Sequence, residues 1–171
     1  MSIKDIKMVI FDVDGVMTNG QIHLDNKGIE TQIFDVHDGS GIIYLHRCGI
    51  LTAIISGRGP KATLFRAKQV GTTEIHQDVK NKVDALDKIL RKYRLSASDV
   101  CYVGDDLLDI PVMKRVGYPV AVQNARTEVK RHAKYVTRRC GGGGAIRELV
   151  EKILKAQRKW EEIILAHYEN A

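Results

Sequence analysis

Short β-branched runs alternate with amphipathic helical stretches along this chain of 171 residues, the pattern of an α/β domain built on a mainly parallel sheet. The runs that read as core strands are 8–13, 51–56, 73–75, 100–104, 118–122 and a short 135–137. Helical spacing is read over 39–48, 61–69, 81–93, 107–116 and 128–132. The expected fold is therefore Rossmann-like, with helices on both faces of the sheet, and no repeat or linker divides residues 1–171 into more than one domain.

Two segments depart from the alternation. Residues 21–24 and 29–34 flank Asp25-Asn-Lys-Gly28 and read as a β-hairpin inserted after the first strand. Its apolar residues, Ile22, Leu24, Ile29, Ile33 and Phe34, are too few to fold alone. The hairpin must pack either on its own domain or on a partner subunit. The second segment is the C-terminal stretch 145–171, where Ile146, Leu149, Val150, Ile153, Leu154, Trp160, Ile163 and Ile164 recur at helical spacing. Its first half reads as a core-packed helix.

Composition narrows the class. At 44% hydrophobic and 28% charged, the chain is a globular protein, with no apolar run long enough to span a bilayer. Residues 1–7 are polar and lack a signal-peptide pattern, and Cys48, Cys101 and Cys140 are odd in number and without metal or disulfide spacing. The expectation is a cytoplasmic protein. A net charge of +6 raises the question of nucleic acid. Residues 1–125 carry an excess of only +1, whereas 126–139 carry +5 through Arg126, Lys130, Arg131, Lys134, Arg138 and Arg139. With Tyr135 the only aromatic among them, no nucleic-acid partner is expected.

Candidate chemistry lies at the strand ends. Asp12 and Asp14 close the first strand, where a parallel sheet places its ligands. Two neighbouring anions there call for a cation or a proton, unless both are simply solvated. Gly104-Asp105-Asp106-Leu-Leu-Asp109 follows another apolar run and completes an oxygen-only site suited to Mg²⁺. Asp109 is open to three readings: a ligand, a residue that orients a ligand, or an acid at a helix start. Ser56, with Gly57 and Arg58, opens one helix, and Lys82 opens another. A hydroxyl, helix-start amides and an ammonium bind phosphate oxygens, though each residue alone also fits a cap or a surface charge. The run Gly141–Gly144 is either a hinge or a plain turn before the last helix, and no P-loop lysine follows it.

Taken in order, Asp12-Val-Asp14-Gly, Ser56-Gly-Arg58, Lys82 and Gly104-Asp105-Asp106-x-x-Asp109 resemble the four motifs of the haloacid dehalogenase superfamily. Further matches at 14–20, 36–41, 102–113 and 135–138 resemble its capless 3-deoxy-D-manno-octulosonate 8-phosphate phosphatases. The resemblance implies a Mg²⁺-dependent phosphomonoesterase of lipopolysaccharide precursor synthesis. In it, Asp12 is the nucleophile and Asp14 the acid and base, while Ser56 and Lys82 hold phosphoryl oxygens. It implies Mg²⁺ held by Asp12, Asp14 and Asp105, with Asp109 as a further candidate, and substrate contacts at Asp14, Asp35, His37, Asp38, Gly39, Ser56, Gly57, Arg58, Arg66 and Lys82. It also implies a homotetramer in which the 21–34 hairpin meets a neighbour that covers the site. A related nine-carbon (nonulosonate) 9-phosphate is the alternative substrate, and a non-catalytic oligomerisation module the alternative class. His37, Ile43 and Gly143 stand where the family usually carries basic residues.

Overall fold

The strands β1 (Met8–Phe11), β4 (Leu51–Ile55), β5 (Glu74–His76), β6 (Val100–Gly104), β7 (Tyr118–Ala121) and β8 (Tyr135–Val136) form one six-stranded sheet, every adjacent pair of which is parallel. In this computed structural model residues 2–168 are described; Met1 and residues 169–171 of the C-terminal stretch lie outside the described residues. The spatial order is β5-β4-β1-β6-β7-β8. Strand β1 is wholly buried because it has neighbours on both edges and helices over both faces, so all four of its residues are apolar.

Chain direction decides which helix covers which face. From β1 the chain steps through α1 (Val36–Arg47) to β4 and through α2 (Lys61–Gln69) to β5, moving one way across the sheet. It returns through α3 (Lys82–Tyr93) to β6 and continues through α4 (Ile110–Met113) and α5 (Thr127–Lys130) to β7 and β8. Right-handed crossovers therefore set α1 and α2 on one face and α3 to α5 on the other. Helix α6 (Ala145–Ala156) closes the first face by packing along α1. The direction reverses between β1 and β6, which opens a crevice at their carboxyl ends.

Several elements are shorter than their sequence patterns. Strand β1 stops at Phe11 because Asp12 to Thr18 turns back on itself, with the amides of Val16, Met17 and Thr18 all donating to the Val13 carbonyl. The 107–116 stretch divides into a 3₁₀ turn at Leu107–Asp109 and the four-residue α4. The hairpin keeps only two pairs, β2 (His23–Leu24) against β3 (Glu30–Thr31). Helix α1 begins three residues earlier than its apolar pattern, since Asp35 caps it by accepting from the Asp38 amide at 2.9 Å.

The C-terminal stretch is two helices. Arg158 adopts a left-handed backbone, φ 59°, which ends α6 and starts α7 (Trp160–Tyr168). Trp160 then meets Tyr44 of α1 edge-on, with ring centroids 6.1 Å apart, and Ile163 is buried, so α7 folds back on its own domain. The stripe Ile146, Leu149, Val150, Ile153 and Leu154 of α6 is fully buried. Leu149→Ala is expected to cost about 3 kcal/mol of stability in chemical denaturation, as a large-to-small change in a closed core.

Candidate active site

The ends of β1, β4 and β6 lie level, so the residues that follow them converge. Phe11 pairs with Ile54 on one side and Val103 on the other, and the Asp12 amide donates to the Val103 carbonyl at 3.0 Å. Asp12, Ser56 and Asp105 therefore share one rim. Lys82 reaches it from the first turn of α3, whose start is capped by the Asn81 side chain. Its Nζ lies 2.9 Å from Asp12 Oδ1 and 2.7 Å from Asp109 Oδ1, and the residue is only 8% exposed.

Asp109 is fully buried and fully bonded. Its Oδ1 accepts from Lys82 and from the Tyr102 hydroxyl at 2.7 Å, while Oδ2 accepts from the Asp105 and Asp106 amides at 2.8 and 3.1 Å. Of the three readings open for it, the geometry favours the orienting one: this carboxylate fixes both Lys82 and the backbone that carries Asp105. Tyr102 lies within the matched segment 102–113, which assigns it no role. It emerges here because a buried hydroxyl needs a partner.

Asp105 is the opposite case. Its Oδ1 is buried with no hydrogen-bond partner. Its carboxylate lies against Gly15, where any side chain would collide with it and where φ is +84°, so this turn requires glycine. One oxygen each from Asp12, Asp105 and Asp109 fall within 4.8 Å of one another. Burial, with the charge of Asp109, pushes the Asp12 carboxyl up to about 7 against the pull of Lys82. Burial and the charges of Asp12 and Asp109 likewise raise Asp105 to about 7. Burial lowers the Lys82 ammonium, but Asp12 and Asp109 outweigh it and the net shift is upward. An orphaned carboxylate oxygen beside two further carboxylates fits a hard divalent cation with oxygen ligands.

Ser56 is buried and its Oγ accepts from the Arg58 amide at 3.1 Å. It does not open a helix as its sequence context suggested, because α2 begins only at Lys61 behind Pro60. Its carbonyl accepts from the Val79 amide at 3.0 Å, which ties this loop to the one before Lys82. Arg58 turns over Asp14, with Nη1 3.4 Å from Asp14 Oδ1, and its Nη2 lies 2.6 Å from Glu30 of the hairpin. Glu30, Gln32 and Thr63 carried no signal in the sequence, since their placement depends on the hairpin folding back over α2.

Arg66 and Asp38, also expected to contact substrate, have partners within the fold. Arg66 spans α2 and α1, donating to the Asp35 carbonyl at 3.0 Å and to Gln69 at 2.9 Å, with its guanidinium packed on Gly39. Asp38 is turned inward and accepts from the Arg147 and Gly144 amides at 2.8 and 3.3 Å, capping α6. Burial raises its carboxyl to about 6. His37 is exposed and, with Asp35, lines an open cavity of about 460 Å³ shared with Arg139, Gly143, Gly144 and Arg147. Asp12, Asp14, Ser56 and Lys82 do not line that cavity. The glycine run is a seated turn: Gly142 donates to the Val16 carbonyl at 2.9 Å, and Asn124 clasps Gly141 and Gly15 at 2.7 and 3.1 Å.

Known proteins are similar to this chain in sequence and fold. The sequence model of the haloacid dehalogenase-like hydrolases matches residues 65–147. The chain is 42% identical over 159 residues to the 3-deoxy-D-manno-octulosonate 8-phosphate phosphatase of Escherichia coli K12, covering 93% of this chain and 85% of that protein. The crystal structure of the Moraxella catarrhalis phosphatase of the same name, in complex with magnesium ion, phosphate ion and a KDO molecule, is similar with a TM-score of 0.94. It is 37% identical and covers 96% of this chain and 95% of its own. The Yersinia pestis phosphatase structure gives 0.91 at 43% identity, covering 93% and 86%.

The raised carboxyls make a prediction about stability. A carboxyl held at about 7 contributes stability that is complete below its ordinary 3.8 and lost as pH rises through about 7. Without divalent metal, thermal unfolding should therefore move to lower temperature between pH 6 and pH 8, with a shallower slope in Asp105→Asn. Added Mg²⁺ should raise the melting temperature more at pH 8 than at pH 6. An equal increment at both would contradict this placement of the cation.

Proposed function

The chain belongs to the haloacid dehalogenase-like hydrolases, in the family of the 3-deoxy-D-manno-octulosonate 8-phosphate phosphatases, and from that membership we propose that it hydrolyses this eight-carbon sugar-acid phosphate through an aspartyl-phosphate. The observation that carries the reading is the carboxylate of Asp12, buried at the crevice and held by Lys82 beside the unpartnered oxygen of Asp105.

In the proposed sequence an Asp12 oxygen attacks phosphorus in line as the bond from phosphorus to the sugar oxygen breaks. Asp14 gives its proton to the departing oxygen, then takes a proton from the water that attacks the aspartyl-phosphate, which frees Asp12 and releases inorganic phosphate. Lys82 and Ser56 hold phosphoryl oxygens whose charge grows in the transition state. Asp109 and Tyr102 keep Lys82 in place, and a guanidinium at Arg58 suits the anionic part of the substrate. Asp12 and Asp105, with the backbone carbonyl of Asp14, would hold Mg²⁺, which would supply positive charge to offset that of the phosphate.

The reading extends to a cytoplasmic homotetramer serving lipopolysaccharide precursor synthesis. What supports an assembly is the exposed apolar surface that the hairpin carries on both its strands, where Ile22, Leu24, Ile29 and Ile33 are 54%, 64%, 57% and 66% exposed. Among the described residues no helix is long and apolar enough to cross a membrane.

Asp12→Asn is expected to lower Mg²⁺-dependent phosphate release at least about a thousandfold, and survival of activity would overturn the mechanism. Side-by-side kcat/KM values for the eight-carbon 8-phosphate and a nine-carbon 9-phosphate should favour the former. Replacing Leu24 and Ile33 together by Lys should reduce the particle mass in light scattering, and an unchanged mass would remove the hairpin from the interface.

A further inference from the structure

The return strand of the hairpin has two chemically distinct faces. Residues two apart on a strand point the same way, and here Glu30 and Gln32 face the domain while Ile29 and Ile33 face outward. Gln32 reaches into the site. Its Oε1 accepts from the hydroxyl of Thr63, a fully buried residue of α2, at 2.7 Å, and its Nε2 then stands 3.4 Å from Asp14 Oδ1. The opposite amide orientation would set a carbonyl oxygen against a carboxylate, so Asp14 selects the amino end of Gln32, and the Thr63 hydroxyl donates to the oxygen at the other end and holds it there. Arg58 approaches the same Asp14 oxygen, and Glu30 secures Arg58 from behind.

Resting on the reading of Asp14 as the acid and base, we propose that Gln32 is a positioning residue for that carboxylate, so that the hairpin is part of its own subunit's reaction centre. Asp14 lies on the loop beyond β1, with its side chain 29% exposed, and a carboxyl that must first protonate a sugar oxygen and then deprotonate water needs one orientation for both steps. Both donors meet Oδ1, which leaves Oδ2 to carry the proton. A neutral amide does this without adding charge beside the phosphate. At 3.4 Å the contact is long, so its loss should cost a modest factor of about ten rather than the whole of Asp14's contribution.

The test separates leaving groups. Gln32→Met removes the donor at similar length, and Thr63→Val removes the group that orients it. In each, kcat/KM should fall about tenfold for the sugar phosphate and less than twofold for p-nitrophenyl phosphate, whose leaving group departs without a proton. In the Asp14→Asn background, Gln32→Met should bring no further selective loss. Equal losses on both esters, or none on the sugar ester, would overturn the proposal, and matching melting temperatures exclude misfolding as the cause. The underlying reading fails separately: Asp14→Asn itself would then depress both esters alike, whatever the Gln32 variants do.

Discussion

A single ammonium group holds the site together. Lys82 is buried between Asp12 and Asp109, at 2.9 and 2.7 Å, and among the described residues it is the cation that pairs with two of the three clustered carboxylates. Burying charge in a protein interior is costly unless the charges offset one another. Asp109 meets this demand with four hydrogen bonds and Asp12 with Lys82, which leaves Asp105 as the carboxylate whose need is unmet. The fold has thus concentrated its electrostatic deficit at one oxygen, on the rim where the sheet's connections reverse direction. A divalent cation placed there offsets the deficit.

The same constraint explains what the chain order made readable. Asp12, Ser56, Lys82 and Asp105 follow apolar runs or begin a helix, so their approximate depth in the fold follows from strand ends alone. The partners of Asp109 were not readable, because Tyr102 lies inside a strand that reads as core and its hydroxyl finds Asp109 only through the turn after β6. Arg66 and Asp38 have partners within the fold that the sequence does not reveal. Their types suit a substrate anion and a polar sugar, yet the interior had its own uses for them: a guanidinium to bind the Asp35 carbonyl, a carboxylate to cap α6. A charged residue in a recognised segment does not reveal which of two nearby demands it meets.

The positive charge excess is accounted for by position. Strand β8 is one edge of the sheet, with Lys134 directly before it and Arg138 two residues after it. An edge strand presents unpaired backbone groups, and charged neighbours make stacking by another chain unfavourable. Lys134 also bonds the Gly117 carbonyl at 2.7 Å, and the Arg138 and Arg139 amides are held by Glu148 of α6. The cluster therefore sits at a boundary the sheet must close, with one charge stitched to the turn before β7.

The hairpin shows how far a local turn can act. Its two strands share only two residue pairs, too few to set their own alignment. Register comes from the turn, where Asp25 Oδ1 accepts from the Lys27 and Ile29 amides at 2.8 Å each and Gly28 takes φ +75°. A slip of one residue would exchange the faces, turning Ile29 and Ile33 toward Asp14 and Glu30 and Gln32 toward solvent. The two faces of the return strand are thereby locked to one another by one Asx turn. Any change at the outward residues Ile29 and Ile33 must preserve that turn's register, or it disturbs the surroundings of Asp14 as well.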